Sequence, residues 1–296
     1  MNVMRLIAAG LAFAACSSIA QQDFSKVEIG TIKLNETTYM LTGAGGNLGL
    51  SVGEDAVFLI DDQFAPLTDK INAAIARITP KPVRFVLNTH WHFDHTGGNE
   101  NYGRAGALIV AHENVRKRMG SEQFIEFLRM KTPPSPKPAL PVVTFAGAMS
   151  FHLNGEEIRG IHVPRAHTDG DAIVHFLGSD VIHMGDVYFN GYYPFIDSSA
   201  GGTVDGVIAA CDQVLGIATD RTKIIPGHGP LSNRAELREY RDMVAAVRAR
   251  VRELKGQGRT LEQVKAAKPS AAYDAKWGKG FINADAFVES VYRSLP

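Results

Sequence analysis

The chain has 296 residues, 45% hydrophobic and 21% charged, with a formal net charge of zero. Balanced charge removes the electrostatic reason to expect nucleic acid or an acidic membrane surface as partner, which leaves a small-molecule substrate. The length supports one large domain or two small ones around a substantial core.

The first elements read as an address. Arg5 precedes the apolar run LIAAGLAFAA, and CSSIA places Ser18 and Ala20 at minus three and minus one before Gln21. The run is too short to cross a bilayer, so residues 1–20 are expected to be a secretory signal peptide cleaved after Ala20. That leaves residues 21–296 as a single domain, periplasmic or secreted, with no integral membrane segment. FAAC also admits a lipobox reading, with Phe13 unusual in it, which would make Cys16 a lipidated terminus. After cleavage at Ala20 only Cys211 remains, so no intramolecular disulfide can form. In GVIAACDQVLGIA it reads as a small core residue.

VEIGTIKL, TTYMLTG, LGLSV and AVFLID are β-branched or aromatic runs bounded by Gly, Asn and Asp, the pattern of short strands. APLTDKINAAIARI is a helix with Leu67, Ile71, Ala74 and Ile75 on one face, stopped by Pro80 and Pro82. VRFVLN is a buried strand, and THWHFDHTGG follows it as a loop at the strand's C-terminal end. NENYGR reads as a short helix and ALIVAH as a strand. SEQFIEFLRM is weakly helical, and the proline-rich KTPPSPKPALP is an extended surface crossing. The pattern then restarts with the strands VVTFAG, MSFHL, EIRGIHV, AIVHFL and DVIHMG, a helix over VDGVIAACDQVLGIA, and the strand TKIIP. In NRAELREYRDMVAAVRARVRELKG, Tyr240, Val244, Val247, Val251 and Leu254 form an apolar helical stripe. Its arginines are balanced by Glu236, Glu239, Asp242 and Glu253, so its outer face is solvated. Strands then helices, twice, suggest two sheets stacked face to face with helices on both outer sides.

The chemistry concentrates in HWHFDH. Residues two apart on extended backbone point the same way, so His90 and His92 can converge on one ion. Asp94 and His95 follow at a shift that aims them at a neighbouring point. Imidazole and carboxylate without thiolate suit zinc, with iron or manganese also possible. Four residues cannot fill two coordination spheres, and further candidates stand at other strand ends: His167 in PRAHTDGD, Asp186 in MGDVYF, His228 in IIPGHGP. The remaining histidines, His112, His152, His162, His175 and His183, read as structural or surface residues.

HWHFDH, AHTDGD, GD after a strand and GHG, in that order, resemble the metallo-β-lactamase superfamily of metallohydrolases over most of the mature chain. The resemblance implies an α/β fold, a four-layer αββα sandwich, with two zinc ions at its edge. It implies that His90, His92 and His167 hold the first metal, Asp94, His95 and His228 the second, with Asp186 bridging. Two such cations lower the pKa of a shared water from 15.7 towards about 7, so a metal-bound hydroxide can attack a carbonyl at neutral pH. Asp94 can orient that hydroxide or carry its proton as the catalytic carboxylate.

The leader and the resemblance point to an exported β-lactamase-like amide hydrolase. Two residues depart from it: Asp186 stands where many such enzymes carry Cys or Ser, and Phe189 stands where one subclass carries Lys. A bridging Asp is typical of relatives that cleave thioesters, lactones or phosphoesters, so a glyoxalase II-like or lactonase-like hydrolase is the alternative. A non-catalytic metal-binding accessory protein is a remoter one. Tyr188 and Asn190, with Tyr192 and Tyr193, are candidates to line the substrate pocket and donate to a developing oxyanion. RNA cleavage is disfavoured because no basic patch is visible. A di-iron oxygen-reducing site is disfavoured because that relative has Glu where His92 stands.

Overall fold

The structure, a computed structural model, describes residues 23–295. The expected leader, with Cys16, lies outside the described residues. Strands β1 (Gly30–Lys33), β2 (Thr38–Thr42), β3 (Leu48–Val52) and β4 (Val57–Ile60) form an antiparallel meander. Helix α1 (Thr68–Ala76) then crosses over to β5 (Val83–Leu87), parallel to β4. Short helices α2 (Phe93–Thr96) and α3 (Asn99–Arg104) lead to β6 (Leu108–His112), parallel to β5. Helix α4 (Glu113–Met119) and the hairpin β7 (Gln123–Ile125) and β8 (Met130–Thr132) precede β9 (Val143–Phe145), which closes a seven-stranded sheet.

The second sheet runs in sequence order. It holds β10 (Ala148–Leu153), β11 (Glu156–His162), β12 (Ala172–Phe176) and β13 (Val181–His183), all antiparallel. Helix α5 (Val204–Ile217) crosses over to the parallel β14 (Lys223–Ile225), and β15 (Ser232–Asn233) forms the edge. Helix α6 (Arg234–Gly256), α7 (Leu261–Ala266), α8 (Asp274–Trp277) and α9 (Ala284–Ser294) follow.

Alternation along the strands fixes the layers, because successive side chains leave opposite faces. Val57 and Leu59 pack outward with Leu67, Ile71 and Ile75 of the α1 region, whereas Phe58 and Ile60 point inward. In the other sheet, Ala172 and Val174 join that same inner cluster, and Ile173 faces the helices α5, α6 and α9. Both faces of both sheets are therefore apolar, which is the condition for the four-layer αββα arrangement expected from the sequence. The α6 stripe is buried as its spacing requires, and Cys211 is fully buried within α5.

One expectation changes. SEQFIEFLRM forms the β7–β8 hairpin rather than a helix. Phe124 is exposed and Ile125 buried, a period of two, and Ile125 packs with Trp91, Val115 and Met119. The turn places Arg129 at φ 50°, left-handed backbone that no helix interior holds. The C-terminal helices α7 to α9 were not anticipated as elements.

Candidate metal centre

Parallel strands bring their C-terminal ends to one rim, and the loops leaving those ends carry most of the site, the usual place for ligands in such sheets. Asp61 follows β4, His90 to His95 follow β5, Asp186 follows β13 and His228 follows β14, with His167 arriving from the β11–β12 loop. The HWHFDH loop is only half extended. His92 is extended (φ −66°, ψ 147°) and caps α2, so Asp94 and His95 sit on a helical turn that swings them away from His90 and His92.

All seven expected ligands are brought together. The ligand atoms of His90, His92 and His167 lie within 4.8 Å of one another, as do those of Asp94, His95 and His228. Asp186 stands between the two trios. Its Oδ1 lies 3.0 Å from His95 Nε2 and 3.3 Å from His228 Nε2, while Oδ2 lies 3.7 Å from His167 Nε2 and 3.9 Å from His90 Nε2.

Outward-facing ring nitrogens are held by neighbours. His95 Nδ1 donates to Asp61 Oδ2 at 2.7 Å, His92 Nε2 to Asp197 Oδ2 at 3.0 Å, and His167 Nδ1 to the Phe195 carbonyl at 2.7 Å. His90 Nδ1 meets Thr89 Oγ1 at 3.1 Å, and Thr89 in turn donates from N and Oγ1 to Asp61. In its neutral form each of these rings turns its lone pair inward, the tautomer a metal ligand needs. Buried polar atoms are otherwise almost always hydrogen-bonded, yet His90 Nε2 and Asp186 Oδ1 are buried with no hydrogen bond. Two glycines make room: a Cβ on Gly46 would come within 2.1 Å of the His95 ring, and one on Gly227 within 2.1 Å of Asp186 Oδ1. Imidazole and carboxylate donors with unpartnered inward atoms fit divalent cations of the zinc type.

The electrostatics divide the histidines. At His95 and His228 burial is outweighed by the Asp186 and Asp94 carboxylates, which hold His95 well above the usual histidine value and raise His228 to about 9. Burial holds His90 well below the usual histidine value and takes His167 down to about 4, so both are neutral. Burial pushes Asp94 up, but His95 and His228 override it and bring the carboxyl to about 2. Asp186 is likewise held well below the usual range, burial being outweighed by His228, His95 and His90.

A cavity of about 670 Å³ opens onto the cluster. Its floor is His92, Asp94, Asp186 and His228, and its walls include Phe93, Leu128, Phe189, Tyr192, Phe195 and Phe281. Tyr188 and Asn190 are not brought to it. Tyr188 is fully buried, its hydroxyl 2.7 Å from Ser232 Oγ and its ring against Tyr240. Asn190 donates to the Pro230 carbonyl and to Glu236. The turn Gly185–Val187 sets this register, so Phe189 faces the cavity and stacks on His228 with ring centroids 5.1 Å apart. The other five histidines belong to β6, β10, β11, β12 and β13, outside every ligand group among the described residues.

Sequence reasoning missed Asp61 and Asp197. Asp61 had a faint signal, since it follows a buried strand in LIDDQ. Asp197 had none, being 105 positions from the histidine it holds.

Residues 41–247 match the family described as the metallo-beta-lactamase superfamily. A hydroxyacylglutathione hydrolase of Polaromonas sp. (strain JS666 / ATCC BAA-500) is 27% identical over 172 residues, 57% of this chain and 57% of that one. The match thus spans little more than half of that relative. Two solved structures share the fold. The metallo-beta-lactamase from Pontibacter korlensis has a TM-score of 0.61 at 18% identity, over 74% of this chain and 99% of that one. The sec-alkylsulfatase Pisa1 from Pseudomonas sp. has a TM-score of 0.64 at 17% identity, over 90% of this chain and 50% of that one.

Proposed function

Because the chain belongs to the metallo-β-lactamase superfamily, we propose that it is a two-metal hydrolase of acyl compounds, with thioesters or lactones as its substrates. The observation that carries the reading is Asp186, which turns one carboxylate oxygen toward each ligand trio. His90, His92 and His167 would hold one cation and Asp94, His95 and His228 the other, with Asp186 shared. When bound, such cations supply Lewis acidity toward an acyl oxygen and acidify water. Zinc suits the donor set, and iron or manganese would also be accepted.

The protein's own groups do the rest. Asp94 is the more accessible floor carboxylate, 21% exposed against 5% for Asp186, so it is the one that orients an attacking water and takes its proton. Asp61 and Asp197 keep His95 and His92 in the ligating tautomer. The apolar walls exclude bulk water and strengthen charge interactions at the floor.

Thioester or lactone cleavage is supported by Asp186 in the place of Cys or Ser and by the likeness to a hydroxyacylglutathione hydrolase. A parallel rate screen on a thioester, a homoserine lactone, a chromogenic cephalosporin and a phosphodiester tests it, with bound metal counted in the same samples. We expect metal-dependent turnover of the thioester or lactone. Cephalosporin turnover with both of those inert would overturn the substrate class, and less than about one metal per chain after zinc reconstitution would overturn the two-metal site.

A further inference from the structure

The cavity walls come from segments far apart in sequence: Phe64 and Phe93, the β7–β8 hairpin, and the C-terminal stretch 279–282. That last stretch lies beyond the family match at 41–247. It is a strap fastened at both ends. Trp277 is buried, its carbonyl accepting from Tyr193 N at 2.9 Å, and Ile282 is buried on the other side. Gly280 presses on Tyr192 so closely that a Cβ there would come within 2.6 Å of the ring.

Between these anchors Phe281 is 70% exposed. Its ring centroid is 5.5 Å from that of Phe127 and 6.5 Å from that of Phe195, so the strap and the hairpin meet as an aromatic rim. Phe127 and Tyr192 are also among the exposed large apolar side chains. Exposed aromatic groups gathered at one mouth mark a binding surface more than scattered ones do. Among the described residues Lys279 is the only lysine or arginine lining the cavity. A glutathione moiety, with two carboxylates, finds one lysine or arginine there to pair them, whereas an alkyl or aryl group finds a nearly continuous wall.

We propose that the strap and hairpin select substrates whose acyl group is bulky and apolar, a medium-length alkyl chain or an arylalkyl group, lodged against Leu128, Phe195 and Phe281. This rests on the acyl-hydrolase reading above. Each buried methylene favours binding about fourfold.

The test is a series of acetyl, butyryl, hexanoyl and octanoyl thioesters assayed on the metal-loaded protein, with calorimetric binding of ethanol, hexanol and octanol to chelator-stripped protein. We expect kcat/KM to rise about fourfold per methylene. We also expect octanol, but not ethanol, to bind without metal. Phe281→Ala should flatten the chain-length slope and weaken octanol binding about tenfold, and Phe281→Leu should restore most of both. Turnover that is equal across the series, with no chain-length dependence in binding, overturns the apolar wall and leaves hydrolysis standing. No turnover of any acyl compound, with chain-length-dependent alkanol binding, overturns the hydrolase reading and leaves the wall.

Discussion

At the residue scale, the site depends on carboxylates that touch no substrate. Asp197 is 2% exposed and holds His92 Nε2, so Asp197→Ala frees the ring to rotate and to change tautomer. We expect about a 10- to 100-fold loss of metal affinity, read by competition with a chromogenic chelator. Tyr188 gives the contrasting case. Its hydroxyl sits 2.7 Å from Ser232 Oγ, away from the cavity, and Ser232 retains Glu236 at 2.8 Å when the hydroxyl is removed. Tyr188→Phe should therefore lower stability by about 1 kcal/mol in chemical denaturation and leave KM unmoved. A raised KM with unchanged stability would return Tyr188 to the substrate.

At the element scale, α4 begins on a titrating cap. His112 Nδ1 accepts from Asn114 N at 3.2 Å and Nε2 donates to the Ala146 carbonyl at 3.0 Å, so the ring is bound in its neutral form. Burial, then the stacked His162 ring 3.8 Å away, lowers its pKa, against the opposing pull of the Ala146 carbonyl, Glu113 and Asp169. A histidine whose folded pKa is depressed contributes stability that is present above the unfolded value of 6.5 and is lost as pH falls through the folded pKa. Between pH 7.5 and 5.5 the parent should lose more stability than His112→Asn, which keeps a capping side chain that does not titrate. Parallel pH profiles of the two melting temperatures would refute this. The hairpin β7–β8 belongs to the same scale: a segment with helical composition became a hairpin because Ile125 had a buried place to fill and Phe124 did not.

At the scale of the whole molecule, the two sheets share one inner core, and the metal centre lies where loops from both meet. Cations bound there would tie the halves together, so metal binding should appear as stability. Stripping with a chelator should lower the melting temperature by several degrees, and zinc should restore it in a concentration-dependent way. A melting temperature indifferent to both would contradict the centre. Export remains our proposal from the leader pattern, and N-terminal sequencing of the periplasmic protein should begin at Gln21.

By itself the sequence determined the strand and helix order outside the β7–β8 hairpin and the helices α7 to α9, the buried stripe of α6, and the seven polar residues at strand ends. These are local patterns, periodic burial and short-range ligand spacing, that need no partner to be legible. Tertiary structure alone decided which nitrogen of each histidine faces inward, since Asp61 and Asp197 reach their histidines across 34 and 105 positions. It also decided that Tyr188 packs and Phe189 lines the cavity, because one turn at Gly185–Val187 sets which neighbour faces which way. The apolar strap at 279–282 belongs with these: exposed and unpatterned in sequence, it acquires meaning only by lying over loops from the far end of the chain.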